Sequence, residues 1–99
     1  MTVYVIVSYD IDDADSYAGY VQAVGPLLQK YSGEVLVADT NAKALEGPSR
    51  AANVVLRFAS DEQAMGWYND PDYAALRQTR LDTTSNGMMA LAQEFVPPA

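Results

Sequence analysis

The sequence predicts an α+β fold, a four-stranded antiparallel sheet with its helices on one face, in the order β-α-β-β-α-β. Three observations lead there. Val3 to Tyr9 is an uncapped run of β-branched and aromatic residues, which reads as a strand buried on both faces and central in its sheet. Two stretches, from Tyr17 to Tyr31 and from Ser60 to Arg80, carry helical caps and helical apolar spacing. Short apolar runs flank both stretches, with no internal repeat, linker or composition shift between them. The 99 residues are expected to form one domain, 1–96, with a short tail at 97–99.

On the first strand, Val3, Val5, Val7 and Tyr9 share one face, and Tyr4, Ile6, Ser8 and Asp10 the other. Asp12, Asp13 and Asp15 then favour a helix start, where carboxylates cap free amides and complement the dipole. Tyr17, Tyr20, Val21, Val24, Leu28 and Tyr31 form the stripe that lies on the sheet, Gly25 and Pro26 are expected to kink it, and Gly33 to end it in the left-handed cap position. Glu34 to Asp39 is the second strand. A loop from Thr40 to Arg50 leads to the third, Asn53 to Phe58.

Ser60 and Gln63 form the pattern of a capping box. Asp70 caps a further helix, with Pro71 at its first position, where a missing N–H costs nothing. Trp67 and Tyr68 therefore end one helix at a corner, and Tyr73, Arg77 and Arg80 follow on one face of the next. Asn86 and Gly87 are expected to stop that helix, and Met88 to Phe95 to form the last strand. A split β-α-β repeat of this kind gives the sheet of ferredoxin-like folds. Its helix-free face would carry Ile6 and Val55, so a homodimer formed through that face is expected.

Composition narrows the function. Six basic against thirteen acidic residues leave a net charge of −7, a field that argues against nucleic acid and anionic membrane as partners. With no Cys and no His, the chain offers no disulfide, thiolate nucleophile, ordinary zinc site or imidazole proton shuttle. Ser8 has no His to activate it, which excludes a hydrolase triad. No metal or other cofactor is expected. The opening run is too short to span a bilayer and no basic segment precedes it, so a cytoplasmic protein is expected.

Three stretches, YVIVSYDIDDADSYAGY near the start, Leu45-Glu46-Gly47 in the loop and FASDEQAMGWYNDPDYAALRQTR after the third strand, resemble the DUF1330 family of small proteins of unknown function, placed among the dimeric α+β barrel proteins. The corner WYNDPDY followed by Arg77 and Arg80 is the most specific part of the likeness, and Tyr17 and Tyr20 match the family's paired tyrosines. After Asp39 the family tends to a glycine-rich turn, whereas this chain has Thr40-Asn41-Ala42-Lys43. The resemblance implies a ferredoxin-like protomer and a homodimer, and no reaction.

The candidate ligand-binding residues are Tyr17, Trp67, Tyr68, Tyr73, Arg77, Arg80, Asp10 and Arg57. The aromatics fit either core packing or a pocket between the sheet and the bent second helix. Arg77 and Arg80 fit either salt bridges to Asp10, Asp13 or Asp15 or the capture of a ligand carboxylate. Arg57, in mid-strand, needs a partner, water or a cavity, with Asp10 as one such partner. The first functional expectation is a binder of a small apolar or aromatic carboxylate. The alternative is a cofactor-independent enzyme, monooxygenase-like or isomerase-like by fold analogy, with Asp10 as base and Arg57 or Arg77 stabilising an enolate-like anion.

Overall fold

The computed structural model describes residues 1–48 and 50–98. In chain order the elements are β1 (Val3–Ile11), α1 (Ala14–Lys30), β2 (Glu34–Asp39), β3 (Ala52–Phe58), α2 (Asp61–Tyr68), α3 (Pro71–Thr83) and β4 (Thr84–Gln93). The strands form one sheet in the order β2-β3-β1-β4, antiparallel at each junction. β3 thus lies between the two strands that α1 connects, which is the split β-α-β arrangement of a ferredoxin-like fold.

β1 is central, paired with β3 on one side and β4 on the other, and its burial alternates, so the expectation of a strand buried on both faces holds for one face only. Val3, Val5, Val7 and Tyr9 are buried with Leu56 and Phe58 of β3 in the core beneath the helices. The opposite parity brings Ile6 against Val55 and Ala90, and Ser8 against Asn53 and Met88. Ile6, Val37 and Met88 are exposed on this helix-free face.

The caps form largely as their residue types dictate. Asp13 accepts from the amide of Ser16, Ser60 from that of Gln63, and Asp70 from that of Asp72. The return half of the capping box is absent, since Gln63 Oε1 is buried with no hydrogen-bond partner. Asp70 also accepts from Tyr31 Oη and, at 2.9 Å, from Lys30 Nζ, fastening the end of α1 to the corner between α2 and α3. Those bonds, Tyr31 first, hold the Asp70 carboxyl down at about 2.

α1 is one continuous helix through Gly25 and Pro26. Three local expectations are corrected. The left-handed residue after α1 is Ser32, with φ 58°, while Gly33 is required for a different reason: a Cβ there would stand 2.8 Å from the Phe58 ring. The last strand begins at Thr84, directly after α3, so Asn86 and Gly87 do not stop a helix. They lie opposite Tyr9 in a bulge between the Ser8–Met88 and Asp10–Ser85 pairs, with Asn86 at φ 54°, the left-handed conformation that a bulge of this kind uses. Finally, Arg57 pairs with Tyr4, not with Asp10. Six residues of strand separate those two side chains, roughly 20 Å.

Candidate functional site

The core beneath the helices is built largely from rings. Tyr9, Tyr17, Tyr20, Tyr73, Trp67 and Tyr68 follow one another with centroid separations from 4.4 to 6.4 Å. The phenols pair off inside: Tyr9 Oη hydrogen-bonds Tyr17 Oη, and Tyr20 Oη hydrogen-bonds Tyr73 Oη at 2.9 Å. Burial pushes the Tyr9 and Tyr20 hydroxyls well above the ordinary phenol value, and the phenol partners add to the rise. Both are therefore neutral hydrogen-bonding groups at physiological pH, unsuited to act as bases.

Between α1 and the sheet lies a chamber of about 160 Å³. One end carries Tyr9, Tyr17, Tyr20, Trp67 and Arg80, and the rest is aliphatic, from Val21, Val24 and Leu28 of α1 to Val35 and Val54 of the sheet. Gly25 also lines it, and a Cβ there would meet nothing within 4 Å. The chamber exists because β2 is an edge strand whose residues α1 leaves exposed.

Arg80 decides the electrostatics of this space. It is only 6% exposed, yet it has no ion-pair partner among the described residues and its Nε has no hydrogen-bond acceptor. Its positive charge is felt at Tyr9 and Tyr20, where it opposes the rise in their pKa. Trp67 Nε1, on the same wall, is likewise buried without an acceptor. Buried donors are normally paired, because leaving one unpaired costs about 1–3 kcal/mol. Two residues of the chamber wall, Trp67 and the cationic Arg80, thus each carry a buried, unpaired nitrogen, and the lining contains no carboxylate. Such a wall can hold an anion and can neither ligate a metal through acids nor supply an ordinary general base.

The candidate residues distribute unevenly around this chamber. Tyr17, Trp67 and Arg80 line it together. Tyr73 is fully buried in the ring cluster beside it, and Tyr68 faces two neighbouring hollows instead. Arg77 lies over the Tyr68 and Tyr73 rings and donates to the Tyr68 carbonyl. Neither arginine forms the salt bridge to Asp10, Asp13 or Asp15 that was one expectation; the ion pair among the described residues is Lys30–Asp70. Asp10 accepts from Asn86 Nδ2 and so braces the bulge, and Arg57 is exposed on the helix-free face. Sequence reasoning treated Tyr9, Tyr20 and Gly25 as packing or kink residues and did not weigh Met89, although all four line the chamber. The parity of Tyr9 with Val7 and the three-residue step from Tyr17 to Tyr20 were the available signals.

The family model DUF1330, described as a domain of unknown function, matches residues 2–94. No curated protein matches the chain. Among solved structures, the fold is similar to that of RPA0582, a protein of unknown function from Rhodopseudomonas palustris, with a TM-score of 0.83 at 16% identity over 97% of this chain and 84% of that one. It is also similar to a dimeric ferredoxin-like protein of unknown function from Jannaschia sp. CCS1, with a TM-score of 0.78 at 7% identity over 95% of this chain and 100% of that one. A third likeness is to a dimeric ferredoxin-like protein from Bacteroides fragilis, at a TM-score of 0.65 and 13% identity over 94% and 96% of the two chains.

Proposed function

Because the chain belongs to the DUF1330 family, a domain of unknown function, we propose its role from the chamber itself: it binds a small monocarboxylate with an apolar or aromatic body. The observation that supports this reading is the buried Arg80, without a counter-ion among the described residues in a protein that has thirteen acidic residues. A carboxylate supplies the missing acceptor in a charge-assisted bond, and Trp67 Nε1 can donate to a second oxygen. A single cation in a chain of net charge −7 favours a monoanion over phosphates or dicarboxylates. The aliphatic end of the chamber suits a body of about six carbons, since an apolar cavity of about 150 Å³ accommodates benzene. The absence of a carboxylate or imidazole from the lining favours binding over acid–base catalysis of the isomerase kind.

We also propose a homodimer closed through the helix-free sheet face. Ile6, Val37 and Met88 leave apolar surface there, and the Jannaschia and Bacteroides proteins of the same fold are dimeric.

Titration of the protein with benzoate and phenylacetate, followed by calorimetry and by Trp67 fluorescence, tests the ligand reading. Binding by the wild type is expected, and Arg80→Met is expected to lose it. Equal affinity in both proteins, or no binding of either acid, overturns the assignment of Arg80 as anion anchor.

A further inference from the structure

Gly25 stands inside α1, where glycine is a poorer choice than any residue but proline. Gly33 and Gly66 are held to glycine by their neighbours, since a Cβ would stand 2.8 Å from the Phe58 ring in the first case and 2.9 Å from the Tyr31 ring in the second. Gly25 has no such neighbour. It is half-buried and lines the chamber, yet a Cβ there would meet nothing within 4 Å. Its place in the helix puts it at the end away from Arg80. Tyr20 bonds Tyr73 of α3, so that flank of α1 faces the helix that carries Arg80. At 3.6 residues per turn, Val21 and Gly25 lie about 100° and 140° around the helix from Tyr20, on the flank turned to β2. Opposite them, Val35 and Ala38 line the chamber from β2. A spacing of three would put those two on opposite faces of a regular strand, but a register shift between Val35 and Val37 sets Val35 beside Leu56 and Ala38 beside Val54. Val21, Val35 and Ala38 are all exposed, so this end of the chamber opens to solvent between α1 and the edge strand.

On the reading that Arg80 anchors a carboxylate, we infer that Gly25 is the specificity-determining position of this site: by carrying no side chain it keeps the gap between α1 and β2 open, and the site accepts acids whose hydrocarbon runs from Arg80 to that edge. The carboxylate sits at the α3 end, the first carbons fill the aliphatic part of the chamber, and further carbons leave between Gly25 and Ala38. The ligand class is then a straight-chain monocarboxylate, selected by its acid head and first carbons rather than by its full length. A side chain at position 25 closes the gap and restricts the site to short acids. Pro26 gives a second reason for glycine, because a Cβ on the residue before proline crowds the ring in a helix. The two reasons separate in one respect: the chamber alone makes ligand length depend on position 25.

The experiment titrates butanoate, hexanoate, octanoate and decanoate into the wild type, Pro26→Ala, Gly25→Leu combined with Pro26→Ala, Ala38→Phe and Arg80→Met, with folding of each checked by circular dichroism. Pro26 is exposed, and its replacement removes the crowding that a leucine at position 25 would otherwise meet. In the wild type and Pro26→Ala, affinity is expected to rise about four-fold per methylene to about six carbons, the size that a cavity of this volume holds, and to stay level up to decanoate. With leucine at position 25, butanoate should bind as in the wild type, while hexanoate and longer acids weaken about sixteen-fold, the loss of two buried methylenes. Ala38→Phe, at an exposed position on the edge strand, narrows the same gap from β2 and should act likewise; it decides the matter if the leucine variant does not fold. Arg80-dependent binding with the wild-type length profile in the folded leucine and phenylalanine variants overturns the inference and leaves the anchor standing. Failure of every alkanoate to bind the wild type in an Arg80-dependent way removes the anchor and this inference with it.

Discussion

Replacing Arg80 by methionine should make the protein more stable while destroying its site. Arg80 is 6% exposed, its Nε lacks an acceptor and, among the described residues, no acid lies within salt-bridge range. Arg80 therefore carries a desolvation penalty that no internal partner offsets. Methionine keeps the apolar stem that packs among the rings and removes the charged head. Relief of one unsatisfied buried donor is worth about 1–3 kcal/mol, in the range seen when buried charges give way to apolar residues of similar volume. For a domain of this size each kcal/mol moves the midpoint by about 4–8 °C, so a rise of roughly 5–20 °C is expected. Urea and thermal denaturation in ligand-free buffer measure it, at one protein concentration because association contributes to the apparent value. Adding a bound carboxylate at one hundred times its Kd should stabilise the wild type alone, by about 2.7 kcal/mol, and so close the gap. A loss of more than about 1 kcal/mol in Arg80→Met would refute the reasoning, since it would mean the charge is satisfied within the fold.

Trp67 is 1% exposed and packs against Phe58, Tyr68 and Tyr73, so Trp67→Ala should cost about 3–5 kcal/mol in chemical denaturation. Val55→Asp places an unpaired charge opposite Ile6 on the proposed dimer face; light scattering should show monomer or aggregate where the wild type is dimeric. The Asp70 carboxyl is lowered to about 2 from 3.8, so its contribution is complete above about pH 4 and is lost as pH falls towards 2, where the unfolded chain binds the proton first. Urea midpoints measured from pH 5 to 2 should fall less steeply in Asp70→Asn than in the wild type. At the other extreme, Tyr9 and Tyr20 have pKa values raised from 10.0, so their stabilisation is lost as pH rises above about 10. Absorbance at the phenolate band should show these two tyrosines ionising only as the protein unfolds.

Local patterns and composition determined the architecture. Alternation along Val3 to Tyr9 assigned a core face and an open face, because a strand's side chains alternate by covalent geometry. Asp13, Ser60 and Asp70 announced three helix starts, because a cap is a short-range bond that needs no distant partner. The absence of Cys and His excluded whole classes of chemistry before any fold was considered. What only the tertiary structure decided is which aromatics pack and which line a space. Tyr68, Tyr73 and Arg77 share a helical corner with Trp67 and Arg80, yet they stack on one another or face other hollows, whereas Arg80 lines the chamber under α1 without a counter-ion among the described residues. The chamber is also set by long-range placement: β2 falls at the sheet edge, where α1 leaves it uncovered, and Met89 comes from a strand about sixty residues further along the chain than α1. A cavity is a property of how elements fail to fill the volume between them, and no window of sequence contains both sides of that gap. The same holds for Arg80, since a missing partner can be recognised only when every distant carboxylate has been placed elsewhere.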